Sequence, residues 1–302
     1  MATMIKRSRP SVATMRLMRI ALCGALTLAA ASAQAAIWSD TYIGWRYGTK
    51  YAEPYESNDI SKNIFMLTNT SGTKYGVNFF NVDLLLSDSK DPAFAGSKSG
   101  AQETYIVERF TLDIGKVLGR DIKFTGVRGV GLTVGFDYNS KADAGYNSKK
   151  RMLLVGPAVM FDVPGFLTVS VVELYESNAP YNTYSGTGVE RYHYDPHPML
   201  TGAWGIPIGT TGLAFEGFAN WIAAKGRDEF GGHTKPEINI DMELMYDLGK
   251  VMGLDKGKLK VGPEFHYWKN KFGNDSSIPL TSGGPGDGAF AKTPEIRVEW
   301  HF

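Results

Sequence analysis

Stretches in which hydrophobic and polar residues alternate recur along the chain from Asp40 to its end. The final stretch places four hydrophobic residues on one face of an extended strand: Ile296, Val298, Trp300 and Phe302. Its other face carries three ionisable residues: Arg297, Glu299 and His301. Because successive side chains of a strand point to opposite faces, this segment predicts a strand that is hydrophobic on one side and charged on the other.

The same period of two predicts about twelve strands, and no long stretch follows the helical period instead. Three of them alternate almost without a fault, at residues 130–138, 238–247 and 259–267. Less regular strands are predicted at 41–48, 63–69, 75–86, 105–114, 151–161, 166–176, 199–206 and 212–224. The C-terminal segment is the twelfth.

The predicted connections alternate between short and long. Tight turns rich in Gly, Pro, Ser and Thr are predicted at 69–74, 162–165 and 207–211. Long polar loops are predicted at 49–62, 87–104, 139–150, 177–198, 225–235 and 270–292. Two further turns share a sequence pattern, DIGKVLG at 113–119 and DLGKVMG at 247–253, and each could form one helical turn closed by glycine.

Alternation alone leaves open which face of the strands points inward. A soluble barrel would bury its hydrophobic face, but about eight strands already fill a barrel interior, and a wider barrel leaves a cavity or a channel. We therefore expect the hydrophobic face to contact lipid and the polar face to surround water, in a closed barrel that satisfies every backbone group. The predicted fold class is all-β, a transmembrane antiparallel barrel of about 12 strands with short periplasmic turns and long extracellular loops.

On this register the polar side chains line the lumen and form the predicted path of a solute. These residues are Tyr42, Arg46, Asp83, Arg109, Asp113, Asp137, Glu216, Phe218, Asn220, Asn239, Asp241, Glu243, Glu264, His266, Arg297 and Glu299. Such a wall could bind a small polar ligand with a flat ring, since rings stack on aromatic side chains and hydroxyls hydrogen-bond to carboxylates. For any one residue, the alternative is a salt-bridge lattice that only stiffens the barrel wall.

The first 35 residues predict a cleaved secretory signal peptide, which leaves a barrel domain at 36–302. Basic residues up to Arg19 precede a short apolar core at 20–30, and Ala33-Gln34-Ala35 matches a cleavage site. The apolar core is too short to span a membrane, and Leu22 stands before Cys23 where a lipoprotein site needs a small residue. The predicted location is the bacterial outer membrane.

Charge and cysteine content narrow the class of protein. The 302 residues carry 32 Lys and Arg against 31 Asp and Glu, and removal of 1–35 leaves 27 basic residues against 31 acidic ones. Nucleic acid is therefore not an expected partner. Cys23 is the single cysteine, so no disulfide is expected in the mature chain. We also predict no cofactor.

Three segments resemble the Tsx-like family of nucleoside-specific outer-membrane channels. They are DTYIGWRYG at 40–48, Glu53-Pro54, and GVNFFNVDLLLSDS at 76–89, and residues 105–116 continue the likeness. The C-terminal Phe302 is similar to the assembly signal of outer-membrane barrels, which implies recognition by the barrel-assembly machinery. The resemblance implies a monomeric twelve-stranded barrel with a narrow lumen that passes nucleosides.

The favoured function is therefore substrate-selective passive diffusion of nucleosides or similar small polar ring compounds, in contact with outer-membrane lipids. Two alternatives stay open: a surface barrel that acts as a phage or adhesin-type receptor with little transport, and a barrel lipid hydrolase. No histidine lies in a recognisable nucleophile motif, so we do not expect an enzyme. His193, Asp195 and His197 alternate as metal ligands would, but the neighbouring prolines favour an irregular loop, and no metal site is predicted.

Overall fold

A computed structural model describes residues 36–302 of the chain. The predicted signal peptide at 1–35 lies outside the described residues and stays a prediction. Within the described part, no helix is both long and apolar enough to cross a bilayer.

The described chain is almost entirely strand. The strands are β1 (Trp38–Tyr51), β2 (Ile60–Gly72), β3 (Gly76–Ser87), β4 (Gln102–Asp113), β5 (Val127–Ala142), β6 (Arg151–Phe161), β7 (Phe166–Asn178), β8 (Tyr181–Asn182), β9 (Thr187–Gly188), β10 (Tyr192–His193), β11 (His197–Pro207), β12 (Leu213–Ile222), β13 (Glu237–Asp247), β14 (Leu259–Lys269) and β15 (Phe290–His301). One short helix, α1 (Ile114–Leu118), follows β4. Single 3-10 turns lie at Lys250–Met252, Lys271–Gly273, Leu280–Ser282 and Gly286–Ala289.

Twelve long strands form a closed antiparallel ring, which confirms the predicted fold class. Each pairs with its neighbour along the chain, β7 pairs with β11, and β1 closes the ring by pairing with β15 from Tyr42↔His301 to Gly48↔Glu295. The two-residue strand β10 adds to β7, and β8 with β9 forms a separate small hairpin. Closure leaves neither terminal strand with an open edge.

As predicted, one end of the barrel carries the three tight turns and the two longer turns of shared sequence, and the other end carries the six polar loops. The two echoed turns lie at the short end and share their chemistry. Asp113 Oδ1 accepts a hydrogen bond from Lys116 N at 3.1 Å, and Asp247 Oδ1 accepts one from Gly249 N at 2.9 Å. Both turns close on a left-handed glycine, Gly119 at φ 65° and Gly253 at φ 73°.

The outer face of the ring is hydrophobic and exposed. Ile43, Phe65 and Leu200 are 49%, 48% and 46% exposed. Phe265 is 36% exposed, so it does not lie in a protein core. Because only a lipid environment suits so many exposed hydrophobic side chains around a closed sheet, the chain is a transmembrane barrel of the bacterial outer membrane.

Two strands depart from the expected polar interior. The inner face of β2 carries Ile60, Ile64 and Met66 besides Lys62, and the inner face of β6 carries buried residues such as Met152. Both strands are hydrophobic on two faces, so the alternation that identified other strands is weak there. The lumen is thus partly lined by apolar side chains.

We predict that a charge on the outer face hinders assembly. Met242 lies on the outer face of β13, midway along the strand. Met242→Arg should destabilise the folded barrel by ~2–4 kcal/mol, because it places a cation near the bilayer midplane. Heat-dependent gel mobility of the refolded protein would measure the folded fraction.

Met242→Leu is the matched control and should fold like the parent. Equal folding of Met242→Arg in lipid would mean that this face of β13 does not contact hydrocarbon.

Candidate functional site: the barrel interior

A buried network of ion pairs fills the middle of the barrel around Arg46. Its Nη2 lies 2.6 Å from Asp83 Oδ2, and its Nη1 lies 2.6 Å from Glu264 Oε1 and 3.1 Å from Asp241 Oδ2. These partners stand on β3, β14 and β13, so one side chain of β1 links strands on both sides of it. The Glu264 side chain is 0% exposed. Protein side chains therefore occupy this level of the lumen.

A second guanidinium group, Arg297 of β15, extends the network toward the short-turn end. Its Nε lies 2.8 Å from Glu299 Oε1, and its Nη1 lies 3.2 Å from Glu264 Oε2. Its Nη2 donates a hydrogen bond to the Tyr42 hydroxyl at 2.9 Å. The Tyr42 ring lies 4.8 Å from the His301 ring, measured between centroids. This part of the wall therefore combines charged groups with flat rings.

Four glutamates stand directly opposite one another on four neighbouring strands: Glu216 on β12, Glu243 on β13, Glu264 on β14 and Glu295 on β15. Like charges in directly opposite positions destabilise a sheet. Arg46 and Arg297 compensate the centre of the row, and Lys260 Nζ lies 3.5 Å from Glu216 Oε1. The two arginines also stand opposite each other, at the next inward-facing position along β15 from Glu295.

Two glutamates of this row, together with Asp241, bring together a set of oxygens that could hold a cation. Asp241, Glu243 and Glu264 each offer a carboxylate oxygen, and these atoms lie within 4.8 Å of one another. Oxygen ligands suit hard cations. Both oxygens of Glu264 already contact a guanidinium group, one from Arg46 and one from Arg297. The arginines thus supply the positive charge here, and we assign no metal.

The wall formed by β4 to β7 is less charged and carries a line of hydroxyl groups. Thr133 Oγ1 lies 3.0 Å from Thr111 Oγ1 on one side and 3.0 Å from Ser170 Oγ on the other. Gly156 of β6 stands opposite Thr133, and its missing side chain leaves room for the contact between β5 and β7. On the long-loop side of these hydroxyl groups, Arg109 Nη1 lies 2.6 Å from Asp137 Oδ1.

Aromatic surface is open to the lumen at the short-turn end. Phe79 of β3 stands opposite Arg109, on the inner face, and is 38% exposed. Its ring is therefore accessible to a solute inside the barrel. Phe218 lies on the inner face of β12 opposite Asp241.

The long loops join into a ring that we call the extracellular collar, formed by residues 52–59, 88–101, 143–150, 179–196, 223–236 and 270–289. Each loop hydrogen-bonds to the next: Lys90 Nζ to Asp59 O at 2.8 Å, Ala144 N to Pro92 O at 2.8 Å, Thr183 N to Ala144 O at 2.8 Å, Asp195 N to Lys225 O at 3.2 Å, Lys235 N to Gly273 O at 2.8 Å and Tyr55 N to Pro285 O at 3.0 Å. The collar gives the loop backbones hydrogen-bond partners that the sheet does not provide.

A cluster of lysines surrounds Glu53 where the collar meets the strands. Glu53 Oε1 lies 2.5 Å from Lys62 Nζ, 3.2 Å from Lys271 Nζ and 3.7 Å from Lys141 Nζ. Burial alone would raise the pKa of Glu53, but the three ammonium groups outweigh burial and hold that pKa well below its usual range. The pKa of nearby Asp91 is raised to about 6 by burial, against the opposing effect of Lys141.

All sixteen predicted lumen residues lie on the inner face of the barrel, and eight of them meet in the central network: Tyr42, Arg46, Asp83, Asp241, Glu243, Glu264, Arg297 and Glu299. Four of the others form two separate pairs, Arg109 with Asp137, and Asn239 with His266 at 2.9 Å. Glu216 pairs with Lys260, Asp113 caps α1 at the rim, and Phe218 and Asn220 line β12. Their role as a solute path stays a prediction.

Sequence reasoning missed several interior groups. Lys62 and Lys141 fall in the predicted loops 49–62 and 139–150, but β2 and β5 extend far enough to include them. Glu53 does lie in a loop, where alternation does not indicate the direction of a side chain. Phe79 was overlooked because Phe80 beside it breaks the alternation. Trp268 also lies inside the barrel, where its Nε1 donates a hydrogen bond to Glu237 Oε2 at 3.0 Å.

Comparisons with known proteins add little detail. No family model and no curated protein sequence matches the chain. Among solved structures, KdgM porin aligns at TM-score 0.39 and 10% identity, covering 88% of this chain and 99% of that one. The translocator domain of autotransporter NalP from Neisseria meningitidis aligns at TM-score 0.40 and 11% identity, covering 87% and 88%. Pseudomonas aeruginosa OpdK with vanillate aligns at TM-score 0.25 and 9% identity, covering 87% and 98%. Scores this low identify neither a family nor a cargo.

We predict that the central network contributes strongly to stability. Arg46→Met leaves Asp83 and Asp241 buried without their guanidinium partner, which should destabilise the barrel by about 3–5 kcal/mol. Urea unfolding from detergent micelles, followed by tryptophan fluorescence, would measure the loss.

Lys123→Met is the control, because Lys123 pairs with Asp121 at 2.9 Å on an exposed surface. Such a solvent-exposed pair contributes little to stability. Equal stability of the two variants would show that the interior carboxylates do not depend on Arg46.

Proposed function

We propose that the protein is an outer-membrane channel for the passive, substrate-selective diffusion of nucleosides or similar small polar ring compounds. The observation that carries the proposal is the pairing of ring surfaces with dense ionised groups on one inner wall. Phe79 and Tyr42 offer ring faces, and the surrounding carboxylates and guanidinium groups can hydrogen-bond to sugar hydroxyls.

The Tsx-like resemblance supports the same cargo. The segments that carry it include the inward residues Tyr42, Arg46, Glu53, Phe79 and Asp83. The likeness therefore falls on the side chains that a solute would meet, and it is not limited to the lipid-facing positions that many barrels share.

A solute would cross by exchanging partners with the interior network. Arg46 and its carboxylates are held by hydrogen bonds that ribose hydroxyls can replace one at a time. An apolar solute of the same size offers no such replacement and would leave buried charges unpaired. Selectivity would then follow from the chemistry of the wall as well as from the width of the lumen.

The same filled interior favours a second candidate, a receptor barrel with little transport. Glu264 is fully buried, and the collar joins all six long loops. A closed barrel that presents its loops to a phage or adhesin would have both features.

The hydrolase alternative has less support, because His197, His266 and His301 bond to backbone, Asn and carboxylate groups and not to a nucleophile.

We predict that a nucleoside blocks the channel reversibly. Adenosine added to a single channel in a planar bilayer should reduce the current, because it occupies the conducting path while it crosses. Phe79→Ala should weaken the block by roughly 1–3 kcal/mol, the usual contribution of stacking between a base and an aromatic ring.

Phe136→Ala is the matched control, since Phe136 is 37% exposed but lies on the outer face of β5. The block should be unchanged in that variant. A silent barrel would favour the receptor, and a current that adenosine does not reduce would exclude nucleosides as the cargo.

A further inference from the structure

Glu53 occupies an unusual position for a buried carboxylate. It lies in the loop between β1 and β2, yet its side chain enters the barrel and one oxygen meets three ammonium groups. Lys62 stands on β2, Lys141 on β5 and Lys271 in the loop after β14. The three lysines are 2%, 6% and 6% exposed. A single loop side chain thus connects three separate parts of the barrel mouth.

These contacts reach across the open end of the barrel and do not only join neighbouring strands. Lys62 and Lys141 are separated around the ring by β3 and β4, so the carboxylate bridges a gap that no pair of neighbouring strands closes. Asp91, from the loop between β3 and β4, joins the same cluster, with its Oδ2 3.1 Å from Lys141 Nζ and 3.9 Å from Lys62 Nζ.

The same loop is packed on the loop that follows β14. Lys271 Nζ donates to Ala52 O at 2.8 Å, and Tyr55 N donates to Pro285 O at 3.0 Å. Gly288 approaches the loop so closely that a Cβ added there would meet Glu53 O. Residues 52–59 and 270–289 therefore form one layer, which we call the two-loop lid.

The lid depends on the charge of Glu53. Lys271 and Lys62 make their shortest carboxylate contacts with Glu53. Without that carboxylate, the buried ammonium groups would share Asp91 and Asp143, which already contact Lys141. Buried charges that lack a partner are strongly destabilising, whereas the same lysines are hydrated when the lid lifts away.

We propose that Glu53 is a latch that holds the two-loop lid closed over the extracellular mouth, and that release of its ion pairs admits solutes to the lumen beneath. In the closed form the three lysines pair with Glu53, and in the open form they are hydrated. The proposal concerns access to the barrel and holds for a nucleoside channel or for any other cargo.

A cysteine placed beneath the lid tests the latch. Residues 36–302 contain no cysteine, so a new thiol is unique there. Leu85 lies on the inner face of β3, one inward position deeper than Ser87, which stands opposite Lys62. Intact cells carrying Leu85→Cys would be treated with a sulfonated dye-maleimide that is too large for general porins, and the rate of labelling would be measured.

Glu53→Gln in the Leu85→Cys background should accelerate labelling severalfold, because the amide cannot hold three ammonium groups. Lys271→Met should act in the same direction by removing the lid's own cation, and it provides a second test if one variant folds poorly. Heat-dependent gel mobility confirms that each variant is a folded barrel before its rate is compared.

Asp59→Asn is the control, since Asp59 is an exposed acidic residue of the same loop. Its labelling rate should equal that of the parent. Unchanged rates in both folded latch variants would overturn the proposal, as would equal acceleration by Asp59→Asn. Because the readout is labelling and not conductance, its result does not depend on nucleoside transport.

Discussion

The pairing of β1 with β15 is the constraint on which the rest of the structure depends. In hydrocarbon, each backbone group without a hydrogen-bond partner costs several kcal/mol, so a sheet can cross the membrane only if it closes. The pairs from Tyr42↔His301 to Gly48↔Glu295 close this one. Closure then separates the two faces of every strand into an outer surface that meets lipid and an inner surface that does not.

Once the faces are separated, the ionisable residues of twelve strands are confined to one narrow space. Carboxylates outnumber basic groups there, and four glutamates lie side by side across neighbouring strands. Arg46 and Arg297 make this arrangement tenable because each guanidinium group has several donors in a fixed fork and can serve more than one carboxylate. A lysine in either place would offer a single point charge. The interior is therefore held by a few many-partnered side chains.

Alternation predicted the strands and the direction of their polar side chains, because both follow from the period of two. Boundaries were less accurate: β5 runs from Val127 to Ala142, beyond the predicted 130–138, because its backbone pairing with β4 and β6 continues past the residues that alternate. Contacts were not predictable. Arg46 and Asp241 are 195 residues apart, and their meeting depends on the stagger of the closed ring. Loop side chains such as Glu53 have no alternating neighbours to reveal their direction.

Two sets of ion pairs lie at successive depths along the barrel axis. Lys62 and its partner Glu53 lie at the mouth, and Arg46, which stands opposite Ile64, lies one inward position deeper. At each level one side chain crosses the lumen and pairs with groups of other strands. Under the function proposed above, a solute rich in hydroxyl groups would replace these partners at both levels, whereas an apolar solute would replace them at neither. We therefore propose that the selectivity of the channel resides in the exchange of hydrogen bonds at those two levels.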